Sequence, residues 1–205
     1  MSEFSVPALA VGYDGRWVHV PLSGDLEEWA RKAAADYATA HGGNKRQIRA
    51  LLEGAGGIAR NAADSVIALV LIPVADEGIR ALVRFCPVDM SAVESAPGSA
   101  IGEDDDSWSA LIGDLTPDNP WEESAEITEM TTKAGPCRRI IRRLTEGEGD
   151  TRAITEHVAY AWLFPQYAAG ILMMTSFIGL GEARRWRSAL DELAAAVELE
   201  PEPAS

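Results

Sequence analysis

The stretch CRRIIRRLTEGEGDTRAITEHVAYAWLFP, residues 137–165, decides the fold of this chain. Two runs rich in β-branched and aromatic residues flank the glycine-bearing segment EGEGD, and this pattern is typical of a β-hairpin. The first run follows Gly135-Pro136 and is too short to form a stable isolated helix, so a strand is favoured. Because strands joined by a short turn pair without a crossover, the stretch predicts an antiparallel sheet.

The first of these runs carries four arginines: Arg138, Arg139, Arg142 and Arg143. Side chains alternate between the two faces of a strand, so Arg138 and Arg142 are predicted on one face and Arg139 and Arg143 on the other. This division argues against a single anion-binding patch made by all four.

The hairpin also predicts cross-strand partners, each contributing roughly 0.2–1 kcal/mol. The expected register pairs Arg142 with Glu156, Ile140 with Val158 and Arg138 with Tyr160. In this interpretation most of the arginine run is a strand whose charges are balanced by its neighbours. A site for an acidic partner or an anion is the alternative.

Outward from the hairpin, the pattern predicts an α+β fold in which an antiparallel sheet packs against N-terminal helices and a C-terminal amphipathic helix. Asp25 and Gly42 delimit the first helix, and a second begins near Asn44, with a break or bend at Gly54, Gly56 and Gly57. The remaining predicted elements are strands at residues 16–22, 65–74, 78–88, 123–135 and 168–177, and helices at 103–115 and 181–199.

The composition is that of an ordinary globular protein, with 205 residues of which 47% are hydrophobic. It predicts one domain over residues 1–199 and a disordered tail at 200–205. No apolar run reaches the roughly 20 residues that a membrane-spanning helix needs. Since the first residues, MSEFSVPALAVGYDG, lack a basic start, we expect a cytoplasmic protein.

The formal net charge of -14 is unevenly distributed. Residues 76–126 contain thirteen acidic side chains and only two arginines. Because a field of this sign repels phosphate backbones and anionic lipid heads, neither a nucleic acid nor a membrane is expected as a partner. A basic protein is the partner that this charge favours, and self-association into a homo-oligomer is left open.

The motifs that would indicate a cofactor or a metal do not have the context they need. Residues 53–60, EGAGGIAR, match a dinucleotide-binding pattern in letters, but they follow a helical segment where a strand is required. The cluster EDDD, residues 103–106, lacks the glycine and the glutamate of a calcium loop. Two cysteines, Cys86 and Cys137, make neither a disulfide framework nor a zinc site. We therefore expect no cofactor, no metal and no assembled catalytic motif.

Four stretches carry a resemblance to known proteins: GRWVHVPL near the start, and HVAYAWLFP, GILMMTSF and ALDELAAAVEL near the end. With the order of elements, they resemble small proteins of high-GC actinobacteria and the Mog1/PsbP-like α+β fold, which includes lipoproteins of the LpqN type. The resemblance implies a non-catalytic binding or assembly factor. This chain departs from those lipoproteins because it shows no signal peptide and no lipid-attachment cysteine.

These observations predict a non-catalytic protein-binding, adaptor or assembly protein with an acidic surface, and enzymatic activity is the less favoured interpretation. The residues expected to contact the partner are Asp104, Asp105, Asp106 and Trp108. The alternative is a small-molecule-binding protein or enzyme with a pocket between sheet and helices, lined by Arg138, His157, Tyr160 and Trp162.

Overall fold

The structure, a computed structural model, describes residues 8–62, 64–74, 77–91, 105–112, 124–146, 153–179 and 181–200. The chain divides into two compact units. The helical unit comprises residues 13–86, and the sheet unit comprises residues 1–12 and 87–205. The single domain predicted over residues 1–199 stays a prediction, and each unit is described by itself. Of the predicted tail, only Glu200 is among the described residues, and its N–H donates to the carbonyl of Ala8 at 2.9 Å.

The helical unit places two helices against antiparallel strands. Its elements are β2 (Trp17–His19), α1 (Leu26–His41), α2 (Lys45–Asn61), β3 (Ile67–Leu71) and the larger part of β4 (Ala81–Asp89). β3 pairs with β2 on one side and with β4 on the other. The core shared by the helices and β3 contains Val20, Ala30, Ala34, Tyr37, Ile48, Leu52, Ala55, Ala59, Ala68, Val70 and Ile72.

Both helices begin at the residues that the sequence predicts. The Asp25 carboxylate accepts a hydrogen bond from the N–H of Glu28 at 3.0 Å. The side-chain oxygen of Asn44 accepts from the N–H groups of Arg46 and Gln47 at 2.9 and 3.3 Å. Each side chain thus satisfies N–H groups that have no partner within the first turn of its helix.

The predicted break at the glycines of α2 is wrong, because α2 runs continuously from Lys45 to Asn61. Gly56 lies against the side chain of Leu26 in α1, and a Cβ at this position would overlap the Leu26 Cδ1 methyl group. The glycine therefore allows α1 and α2 to approach closely. Packing between the helices outweighs the propensity cost of about 1 kcal/mol per glycine.

The sheet unit is built on the hairpin predicted for residues 137–165. Its strands β5 (Glu126–Thr132), β6 (Gly135–Glu146), β7 (Ala153–Phe164) and β8 (Ala169–Ile178) are antiparallel and lie in the order β8-β7-β6-β5. α3 (Asp105–Ile112) packs on one face of these strands. α4 (Glu182–Ala195) contacts β5, β7 and β8. The predicted α+β class, with N-terminal helices and a C-terminal helix on antiparallel strands, is confirmed.

The predicted register of the hairpin is wrong by one residue. Arg143, and not Arg142, lies opposite Glu156, and Arg139, and not Arg138, lies opposite Tyr160. A shift of one residue exchanges the faces of a strand, so the register depends on which set of side chains the rest of the unit buries. Here the face with Arg139 and Tyr160 is held by Asp191 of α4, a contact that the two strands alone do not contain.

The C-terminal helix is shorter than predicted. α4 ends at Ala195, and the next residues form β9 (Val197–Leu199). β9 pairs antiparallel with β1 (Leu9–Val11), a strand that the sequence did not indicate. Within the described ranges, every helix is too short or too polar to cross a membrane.

Candidate functional site

The arginines on the two faces of β6 make different contacts. On one face, Arg139 and Arg143 bond to carboxylates within the unit. On the other, Arg138 lies near Trp108 of α3, with its guanidinium carbon 4.6 Å from the centroid of the indole ring. The predicted division of the arginines between two faces is therefore observed, and the face with Arg138 borders a cleft at the end of the sheet.

This hairpin cleft has a volume of about 420 Å³. Trp108 and Arg138 line it together with residues of the β5–β6 hairpin, namely Glu129, Met130, Thr131, Pro136 and Cys137. Arg138 also forms an ion pair with Glu129, at 3.4 Å. A planar cation on an aromatic face beside a carboxylate offers both apolar and charged contacts to a ligand. The volume is within the roughly 300–1,000 Å³ range of small-ligand sites.

β5 is the last strand in the order of this sheet, and four of its seven residues are exposed. Ile127, Glu129 and Thr131 lie on the face that carries Arg138, since their cross-strand partners in β6 are Ile140, Arg138 and Pro136. Ile127 is 48% exposed, and the side chain of Glu129 is 80% exposed. Among the described residues, β5 pairs only with β6. A strand of this kind presents unpaired N–H and C=O groups to which another chain can bond.

On the opposite face, a buried network joins β5, β6 and β7 to α4. Nη1 of Arg139 donates to both carboxylate oxygens of Asp191, at 2.8 and 2.9 Å. The hydroxyl of Tyr160 donates to the same carboxylate at 2.6 Å, and Nη2 of Arg139 donates to Thr128 at 3.2 Å. These bonds attach α4 to the strands on which it packs.

The ionisation of these groups reflects their burial. Burial, together with the hydrogen bond to Asp191, raises the pKa of Tyr160 well above its ordinary value. Burial lowers the pKa of Arg139, but the bonds to Asp191 and its charge outweigh this and raise it. Burial raises the pKa of the Cys137 thiol to about 12, with a smaller contribution from the charge of Asp191. At neutral pH Arg139 is thus charged, whereas Tyr160 and Cys137 are neutral.

The four residues predicted to line a pocket are not brought together. Tyr160 and Trp162 are fully buried on the α4 face. The indole N–H of Trp162 donates to the Thr132 hydroxyl at 2.9 Å. Arg138 and His157 lie on the other face of the sheet. Of the four, only Arg138 borders the hairpin cleft, and the predicted ligand-binding role of the others stays a prediction.

The residues predicted to contact a partner are described only in part. Asp104 lies outside the described residues, and Asp105 and Asp106 open α3, where the structure describes the backbone alone. Trp108 is buried, and it belongs to a core cluster with Met90, Leu111, Ile140 and Ala161. Its main contacts are therefore within the sheet unit, and one edge of it borders the hairpin cleft.

A second candidate groove lies within the helical unit. It has a volume of about 330 Å³ and runs between β2 and α1. Trp17 and Tyr37 form buried walls, Tyr13 is exposed at its rim, and the ring of His41 lies 4.5 Å from that of Tyr37. The Tyr37 hydroxyl donates to the Ile72 carbonyl, so it is occupied within the unit. The groove is shallow and aromatic.

No family model matches the chain, and no curated protein matches it. Among the described residues, no group of three or more His, Cys, Asp or Glu side chains is arranged to hold a metal ion.

Sequence reasoning missed the two features that make the hairpin cleft. The contact between Trp108 and Arg138 joins residues that are far apart in the chain, so no local pattern indicates it. The outer position of β5 was also missed, although its run, EITEMTT, contains only two apolar residues, Ile127 and Met130, which is a signal for it.

Proposed function

We propose that this chain is a non-catalytic protein-binding module and that its partner adds a strand along β5. The observation that carries the proposal is the outer position of β5, a seven-residue strand with exposed Ile127 and Glu129. Strand addition uses backbone hydrogen bonds for affinity and alternate side chains for specificity. It needs no catalytic group.

The side chains of β5 favour a partner strand with one apolar and one basic residue on the same face. Ile127 offers an apolar contact, and Glu129 offers a carboxylate that is only weakly held by Arg138 at 3.4 Å. The hairpin cleft lies beside Glu129. A side chain of the partner strand on the face that carries Arg138 would therefore enter the cleft next to Trp108. A basic partner also fits the net charge of -14.

The experiment compares capture of partners from the native host by the wild-type chain and by two matched variants, at low and at high salt. Ile127→Lys places a charge on the outer strand of the sheet. Ile178→Lys changes an isoleucine of β8 that is 80% exposed, and it is the control. We expect one partner to be retained by the wild type and by Ile178→Lys, lost by Ile127→Lys, and weakened at high salt because the attraction is screened.

Retention of that partner by Ile127→Lys would contradict binding at β5. A second copy of the chain is another outcome, and light scattering distinguishes it, since self-association through β5 would be abolished by the same variant. Neutralising Asp104, Asp105 and Asp106 to Asn tests the contact residues predicted from the sequence. Unchanged capture by that variant would remove those three residues from the proposal. The cytoplasmic location stays a prediction.

Binding of a small molecule in the hairpin cleft is the second candidate. It is favoured by the volume of the cleft and by the cation–aromatic pair of Arg138 and Trp108. A thermal-shift screen of the wild type and Arg138→Gln tests it. A ligand that stabilises only the wild type would support this function, whereas a ligand that stabilises both equally binds elsewhere.

A further inference from the structure

A second cleft in the sheet unit is lined by arginines, in a chain that is otherwise strongly acidic. It lies between the first turns of α4 and strands β6 and β7, and its volume is about 310 Å³. The residues that line this arginine cleft are Ile141, Arg143, Glu156, Gly181, Ala183, Arg184 and Arg187. Three of these seven side chains are guanidinium groups, and one is a carboxylate.

Both carboxylate oxygens of Glu156 accept hydrogen bonds within the unit. It is only 2% exposed, and its Oε2 accepts from the N–H groups of Gly181 and Ala183 at 2.9 and 3.1 Å. Its Oε1 accepts from Nε of Arg143 at 3.0 Å. The carboxylate therefore satisfies the start of α4 and compensates the charge of Arg143, so the start of α4 by itself is not available to a ligand.

The charges of Arg184 and Arg187 are not compensated in the same way. Arg184 is exposed, and the described part of the chain provides it with no ion pair. Nη2 of Arg187 lies 3.8 Å from Glu126, which is a loose contact. Nε of Arg187 is buried and has no hydrogen-bond partner among the described residues. A buried donor without a partner is unfavourable.

We infer that the arginine cleft binds a small oxyanion, a phosphate group or a carboxylate, between Arg184 and Arg187. Guanidinium groups offer paired N–H donors that match the geometry of both anions. Glu156 shows how a carboxylate is held at this end of α4, and the ligand occupies the outer part of the same cleft. The inference does not rest on the function proposed at β5, since it concerns a different cleft and a different class of ligand, although Glu126 of β5 lies 3.8 Å from Arg187.

The test is calorimetric titration of the full chain at low salt with inorganic phosphate, O-phosphoserine and acetate. Phosphoserine that binds more tightly than inorganic phosphate would indicate a phosphorylated molecule as the source of the anion. Binding of acetate without binding of either phosphate compound would indicate a carboxylate. We expect saturable binding that weakens as sodium chloride is added, because exposed charges are screened.

Two variants and a control locate the anion. Arg184→Gln and Arg187→Gln each remove one guanidinium that faces the cleft, and we expect each to weaken binding about tenfold or more. Arg185→Gln is the matched control, because Arg185 lies on the same helix but stacks on Trp186 at 4.9 Å, outside the cleft lining. It should leave the affinity within about twofold of the wild type.

Arg143 is left unchanged in these variants, because its loss would expose the buried charge of Glu156 and endanger folding. The inference is overturned if no anion binds saturably at concentrations up to tens of millimolar. It is equally overturned if Arg184→Gln and Arg187→Gln bind as the control does. Because no protein partner takes part, either failure leaves the proposal for β5 untouched.

Discussion

Replacing Asp191 by Ala should destabilise the protein by about 2–4 kcal/mol. The carboxylate of Asp191 accepts the hydrogen bond of the Tyr160 hydroxyl, and it also accepts two bonds from Nη1 of Arg139. The variant would leave the Arg139 guanidinium, whose side chain is 10% exposed, without its carboxylate. Removing one partner of a fully buried ion pair costs about 3–5 kcal/mol. We expect less than the upper value because water reaches Asp191, which is 30% exposed.

The same reasoning predicts an asymmetry between the two partners. Replacing Arg139 by Met leaves the carboxylate of Asp191, which is partly hydrated and keeps its bond from Tyr160. This variant should therefore cost only about 1–2 kcal/mol. Urea unfolding followed by circular dichroism measures both free energies of unfolding. The comparison requires that the free energy falls with urea concentration at the same slope in each variant as in the wild type. Glu129→Ala, which breaks an exposed pair, is the control and should change the stability by no more than about 0.5 kcal/mol.

Two results would refute this reasoning. A cost below about 1 kcal/mol for Asp191→Ala would mean that Arg139 finds water or another acceptor without strain. A larger cost for Arg139→Met than for Asp191→Ala would mean that packing of the arginine stem, and not the stranded charge, determines the stability.

Three further predictions concern other parts of the chain. The pKa of Cys137 is about 12 in the folded protein and 9.0 as an ordinary thiol, so the unfolded chain loses this proton first as the pH rises. The free energy of unfolding should therefore fall above pH 9 by up to about 1.4 kcal/mol per pH unit, and Cys137→Ala should reduce this slope; an unchanged slope would contradict the prediction. Gly54→Ala, with open space around the new methyl group, should raise the thermal stability by roughly 0.5–1 kcal/mol. Gly56→Ala should not raise it, because the methyl group would overlap Leu26; equal stabilisation by both variants would refute the close approach of α1 and α2. Asn44→Ala should lower the stability by about 0.5–2 kcal/mol in urea unfolding, since two N–H groups of α2 lose their acceptor, and no change would show that water replaces the cap.

Local features of the fold could be predicted from the sequence because their causes are local. Asp25 and Asn44 cap α1 and α2 through bonds to residues two or three positions ahead. The alternation of β6 follows from the period of a strand, and it correctly separated Arg138 from Arg139.

The sequence predicted individual residues of the candidate site but not the contacts between them. Trp108 and Arg138 were singled out separately, as residues of two competing hypotheses, and the structure places the guanidinium against the indole ring. Tyr160 and Trp162 are predicted from the sequence to line a pocket, yet both are fully buried. An aromatic side chain in a strand has the same local pattern in a core and in a pocket.

Apart from β1 and β9, the sequence by itself determined which of the described segments are helices and which are strands, together with the antiparallel character of the sheet. Capping bonds, side-chain alternation and short turns act between residues close in the chain. Only the tertiary structure decided that Arg143 pairs with Glu156, that α4 gives way to β9 and that β5 is the last strand of its sheet. Each of these depends on a partner distant in sequence, because a register, a helix end or an exposed edge is set by what packs against it.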